Sequence, residues 1–189
     1  MTDALDKNRD NDVPLEKKLD DLYKLIDGIE TAMMTTRRAD GLLVSRAMQT
    51  QRRTTGTDLW FMTNAEDEKF EEIAKDAQVN LSYIRHRTKE WVSVSGRAIL
   101  SKDRDLIDSL YKPDWKMWLG DQGDGKRDGG PHDPRIAIIL VEAERVTYSK
   151  QDRPTPLVLF ELVKGLVTGK PPKIADVRDL GREELGGAR

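Results

Sequence analysis

The run GLLVSRAMQTQ, residues 41–51, sets a single arginine, Arg46, in a stretch that otherwise reads as a strand. A guanidinium presents a planar fork of N–H donors that matches a phosphate. The plainer reading is a surface arginine on a strand, although its parity with Leu42 and Val44 puts it on their face. Lys69 falls on the first turns of a predicted helix, whose free N–H groups also favour an anion. Its neighbours Glu66, Asp67, Glu68, Glu71 and Glu72 equally describe a salt-bridged helix surface. Trp91 offers an indole for stacking on a flat ring, or an aromatic anchor at a subunit seam. Trp115 and Trp118 follow at a helical interval, where core packing competes with covering a ligand. His86 and His132 lie in predicted loops with no pattern of a triad or a metal site. Asp121, Asp124 and Asp128 lack the spacing of a calcium loop, and the glycines around them lack the lysine and serine of a phosphate loop.

The surrounding chain of 189 residues suits one domain. Hydrophobic residues make up 37% and charged residues 35%, with a net charge of -2, so a polyanion-binding role would need a local patch. With no cysteine there are no disulfides, thiolate ligands or thiol nucleophiles. Met1 to Asp12 is polar and lacks the apolar stretch of a signal peptide, and no run approaches the ~20 apolar residues that cross a bilayer. The expected location is the cytoplasm, with no membrane partner.

Residues 1–13 read as a disordered segment. Pro14 opens an amphipathic helix to about Asp27. Strands are predicted over Thr31–Arg37 and Gly41–Met48, joined by a tight turn, and over Asp58–Thr63 after the turn material Thr54, Thr55 and Gly56. Asn64 with Asp67 resembles an N-cap for a helix from Ala65 to Asp76. Strands Val79–Arg85 and Glu90–Leu100 follow; Val92, Val94, Gly96 and Ala98 of the latter alternate with polar positions, giving one core face. A helix over Asp103–Tyr111 is expected with Ser101 as cap, then an exposed loop from Gly120 to Pro131 with five glycines. Arg135–Tyr148 holds the unbroken apolar run Ile136–Val141 of a strand buried on both faces. Residues 151–189 complete the chain as a helix over Leu157–Val167 and a frayed tail from Lys170. This order predicts a mainly β, α+β domain over residues 14–150, an antiparallel six-stranded barrel with peripheral helices.

Four blocks in order, GLLVSRAMQTQ, DLWFMTN, EDEKFEEIAKDAQVNLSY and EWVSVSGRAIL, resemble the pyridoxamine 5'-phosphate oxidase-like superfamily, in particular its general stress protein 26 branch. The likeness runs from about Leu22 to Tyr148. It implies an FMN-binding split barrel that holds its flavin at a homodimer interface. The second strand would present Arg46, Ala47, Met48 and Gln49 to the flavin, with Arg46 at the phosphate. Met62 and Thr63 would form a flavin-contacting turn, and Lys69 would bind the phosphate. Trp91 and Trp118 would stack on or cover the ring. Two departures stand out: Glu68 replaces a phosphate cation, and Trp91 replaces a glutamine. The C-terminal GREELGGAR has no counterpart of the oxidase's substrate motif, which argues against oxidation of pyridoxamine phosphate itself.

The function implied is a flavoprotein, with FMN or else FAD, that exchanges electrons with a small substrate. The alternative is a non-enzymatic flavin-binding stress protein that stores or senses the cofactor. A third reading, nucleic-acid binding through Arg37, Arg38, Arg46, Arg52 and Arg53, ranks last, because phosphate anchoring and dimer contacts explain the same arginines.

Overall fold

The computed structural model describes residues 7–53, 59–151 and 154–186. Helix α1, Leu15–Ile29, follows Pro14 and buries Leu22, Leu25 and Ile26 at helical spacing. Strands β1 (Thr31–Arg37) and β2 (Leu43–Gln49) form a hairpin in unbroken register, from Thr31 opposite Gln49 to Arg37 opposite Leu43. Gly41, at φ 87, takes the left-handed position of the turn that a side chain would strain. Strand β3 is Leu59–Asn64; the expected turn at Thr54, Thr55 and Gly56, and Asp58, lie outside the described residues. Next come α2 (Glu68–Lys75), β4 (Gln78–Ile84), β5 (Trp91–Ser101), α3 (Arg104–Leu110), a 3-10 turn (Pro113–Trp115) and α4 (Lys116–Leu119). The chain ends with β6 (Ile136–Lys150), α5 (Thr155–Thr168), β7 (Asp176–Gly181) and α6 (Arg182–Gly186).

All pairings between these strands are antiparallel, in the order β2-β1-β4-β5-β6-β3, with β7 on the second half of β6. Strand β6 holds β3 along Ile136–Val141 and β7 along Arg145–Lys150. The sheet curls until its two ends meet, and the N–H of Gln51, just past β2, donates to the Trp60 carbonyl of β3 at 3.0 Å. This is the split barrel that the strand order predicts. The interior packs Leu22, Met34, Phe61, Leu81, Val94 and Ile139 among others. A second apolar cluster, Trp60, Ile107, Trp115, Leu119, Ile136 and Ile138, joins the outer side of β3 and β6 to α3 and α4. The apolar run of β6 therefore serves both faces, as its composition predicts. Within β5, Val92, Val94, Gly96 and Ala98 alternate inward. Gly96 sits at a bulge where β6 inserts Glu144; a Cβ there would lie 2.3 Å from the Glu142 carbonyl oxygen.

Three local expectations change. The N-cap of α3 is Asp103, whose carboxylate accepts from the N–H groups of Asp105 and Leu106; Ser101 only braces the Asp103 N–H. Asp67, not Asn64, precedes α2, and Asn64 instead folds an Asx turn by accepting from the Glu66 N–H. The segment after Lys170 is not frayed, since Asp176–Gly181 adds β7 to the sheet. Residues 7–12 also reach that strand: Arg9 bridges Val177, and the Asp10 N–H donates to the Val177 carbonyl. A short polar strand with one buried arginine carries too little alternation to announce itself.

Candidate functional site

Seven of the nine predicted residues lie on β2, β3 and the start of α2, around the seam where β2 and β3 meet. Among the described residues each of the two strands pairs on one side only, so each turns a row of backbone N–H and C=O groups toward the other. Helix α2 follows β3 and meets β2 through Glu72 and Glu68. Arg46 faces inward there with Val44 and Met48, without any bulge in β2, which accounts for its parity in the sequence. Its Nη1 donates to Glu72 Oε2 at 2.8 Å and to Thr36 Oγ1 at 3.0 Å, and Nη2 donates to Glu72 Oε1 at 3.0 Å. Thr36 in turn donates to Glu72 at 2.7 Å, and Glu68 stands 3.9 Å from the guanidinium. The Arg46 hydrogen bonds hold the Glu72 carboxyl below the usual carboxylate range; burial opposes them and the Thr36 hydroxyl adds to them. Three of the five guanidinium N–H groups are engaged, so Nε and one Nη2 proton keep no partner among the described residues.

Lys69, one residue past Glu68, is mostly covered and pairs with Asp67. Met48 is buried in the barrel, opposite Ala32, whereas Ala47 and Gln49 point outward from β2. Met62 is half-buried against the outer cluster, and Thr63 is buried with its hydroxyl toward the Asn64 carbonyl. Arg46, Met48, Met62, Thr63 and Lys69 thus belong to β2, β3 and the start of α2. Trp91 does not join them: it opens β5, on the outer face, three strands from β2 and at the strand end away from α2. Trp118 does not join them either, being 74% exposed beside the equally exposed Met117. Trp115 is core, edge-on to Trp60 at 6.3 Å and to Tyr111 at 5.7 Å. The outer sheet face beyond Ala47 is mixed: Thr35 bonds to Ser45 at 2.8 Å and Asn80 to Ser93 at 3.0 Å, while Met33, opposite Ala47, and Leu43 and Ile84 stand exposed among them.

Reading the sequence alone missed Glu72 and Thr36 as the partners of Arg46. Glu72 is the i+4 neighbour of Glu68, which puts both on one helix face, but spacing does not say which cation that face meets. It also missed the buried cluster around Asp21, whose carboxylate accepts from Lys17 at 3.0 Å, from Lys150 at 2.6 Å and from Arg178. Burial raises the Asp21 pKa, yet the bonds from Lys150, Lys17 and Arg178 outweigh it and bring it to about 2. The glycine-rich loop is pinned at its base by a buried pair, with Arg135 Nη2 2.7 Å from Asp133 Oδ2 and further bonds to the Leu119 and Gly120 carbonyls. Arg37, Arg38, Arg46 and Arg53 each lie within 4.0 Å of a carboxylate, at 3.3, 3.3, 2.8 and 3.6 Å.

With this geometry in hand, comparison with known proteins gives a consistent result. The family described as pyridoxamine 5'-phosphate oxidase like matches residues 17–173. Protein bli-3 of Neurospora crassa is 37% identical over 180 residues, covering 94% of this chain and 86% of its own length. Among solved structures, a Clostridium acetobutylicum protein related to general stress protein 26 superposes with a TM-score of 0.63 at 13% identity, over 92% of this chain and 99% of that one. The general stress FMN/FAD binding protein of Xanthomonas citri gives 0.56 at 21% identity, over 70% and 88% of the two chains. An FMN binding protein of Nostoc punctiforme gives 0.57 at 14%, over 72% and 84%. No helix among the described residues is long and apolar enough to cross a membrane. From barrel, seam and sequence together, this chain belongs to the pyridoxamine 5'-phosphate oxidase like family.

Proposed function

We propose that this chain is a flavoprotein that binds FMN, with FAD the alternative, at the β2–β3 seam of a homodimer in the cytoplasm. The carrying observation is Arg46. It faces inward on β2 with two N–H groups not hydrogen-bonded among the described residues, 3.9 Å from Glu68 on the first turn of α2, the turn that also carries Lys69. These residues fit a flavin phosphate, and the unpaired edges of β2 and β3 supply the backbone donors and acceptors that a ring edge requires. The fit has a condition. Glu72 and Asp67 already bind the two cations, so a phosphate shares them with carboxylates. The proposed homodimer uses the outer face of the sheet, where exposed Met33, Leu43 and Ile84 stand among small polar residues, and in it Trp91 or Trp118 of the second copy would reach the flavin that one chain alone keeps them from.

A bound flavin supplies hydride and electron transfer; this chain's residues bind and orient it. The proposed activity is oxidoreduction of a small substrate. The pairing of arginines 37, 38, 46 and 53 with carboxylates supports that small-molecule role over a polyanion site. A second reading, storage or sensing of flavin without turnover, draws on the fact that the seam's ionisable groups are tied to one another. The test is spectroscopic. Purified protein should show flavin absorbance, and NADH or NADPH added without oxygen should bleach it until oxygen restores it. A flavin that binds but does not respond selects the storage reading, and a protein that takes up no flavin overturns both.

A further inference from the structure

We propose that the cleft beside Trp91 is a binding site for a flat aromatic ring carrying an anionic group. The cleft measures about 500 Å³, within the range of roughly 300–1,000 Å³ typical of small-molecule sites. It opens between the β4–β5 turn, the end of β6, Asn8, Val158 of α5 and the chain that enters β7. Trp91, Val158, Ile174 and Val177 form an apolar lining, and Arg87 and Lys89 stand at the rim. A half-buried indole face among aliphatic side chains suits a stacked ring.

The charge at the rim is one-sided. Glu90, the only acid among the described residues that line the cleft, is buried and already bound by Arg85 at 2.7 Å, Thr88 at 2.7 Å and the Gln151 N–H at 3.2 Å. Burial raises its pKa, but the bonds from Thr88, Gln151 and Arg85 prevail and keep it ionised and compensated. Arg87 and Lys89 are exposed, and their side chains have no hydrogen-bond or carboxylate partner among the described residues; the Lys89 N–H donates to the Arg85 carbonyl at 2.8 Å within the turn. Lys89 moreover holds φ 60, a conformation in which glycine would sit without strain. A lysine kept there at a conformational cost offers its ammonium, which fits an anion at the mouth of an apolar slot. This site is separate from the seam and does not require the flavin reading. The proposed occupant is a small aromatic anion other than the flavin.

The test is a fluorescence titration of the full chain with 8-anilinonaphthalene-1-sulfonate, a flat aromatic anion. One saturable site per chain is expected. Trp91→Ala should weaken it about tenfold or more, the scale of a lost stacking contact. Arg87→Gln with Lys89→Gly should weaken it about threefold or more at low salt, while leaving the neutral N-phenyl-1-naphthylamine unchanged. Lys89→Gly relieves the turn, so this variant stays folded by circular dichroism. Phe160→Ser with Leu166→Ser on α5, whose Phe160, Leu166 and Val167 are exposed, controls for binding to that helix and should have no effect. Binding should persist at saturating FMN, and displacement by FMN overturns the cleft as a site separate from the flavin. Affinity unchanged by both cleft variants, or lost only in the α5 variant, overturns the proposal. Flavin uptake is followed separately by its own absorbance, so either idea can fail alone.

Discussion

Arg46 serves two demands at once: it ties β2 to α2 and β1 through Glu72 and Thr36, and it keeps guanidinium N–H groups in reserve for a phosphate. Replacing Glu72 by Gln separates them. The change removes a buried carboxylate from a bidentate pair and should destabilise the fold by about 2 kcal/mol in urea titrations, below the full buried-pair value because Arg46 is partly exposed. Flavin affinity should hold or rise, because the phosphate then meets less competition. Arg46→Ala should lose both stability and affinity. The pair also carries a pH dependence. The folded pKa of Glu72 is depressed, so its contribution is present above the ordinary carboxylate range and is lost as pH falls through the depressed value. That Arg46 faces inward was legible from its parity with Val44; that a glutamate from a later helix would meet it was not, because the contact joins residues 26 apart in sequence.

At the scale of elements, the bulge in β5–β6 and the clamp between α1 and β7 carry the sharpest expectations. Gly96→Ala drives a methyl into the Glu142 carbonyl and should cost about 2 kcal/mol or more, read as a lowered melting temperature. Asp21→Asn leaves Arg178 and Lys150 without their shared carboxylate and should cost about 3 kcal/mol. The clamp is also acid-labile in a definable window. Asp21 is shifted from 3.8 to about 2, so its stabilisation is complete above pH 3.8 and falls away as pH drops toward 2. Circular dichroism across that window should show unfolding that the Asn variant lacks. The helices and long strands were readable from the spacing of Leu22, Leu25 and Ile26 and the alternation of Val92, Val94 and Ala98. Strand β7 was not, because its stability comes from Arg178 meeting Asp21 and from pairing with β6 rather than from its own pattern.

For the molecule as a whole, the outer face of the curled sheet mixes small polar residues with exposed Met33, Leu43 and Ile84, and the proposed second copy packs against it. Ser82→Arg, at the middle of that face, should convert a dimer of about twice 21.5 kDa to a monomer in sedimentation and should lower flavin affinity with it. Circular dichroism unchanged by the substitution would confirm that assembly, not folding, is affected. The measurement closest to the central claim is a titration of the flavin-free chain with FMN and, in parallel, with riboflavin. One FMN per chain is expected, with riboflavin bound at least about tenfold more weakly and the FMN advantage abolished in Arg46→Ala with Lys69→Ala. FMN and riboflavin binding equally, with no response to those substitutions, would contradict it.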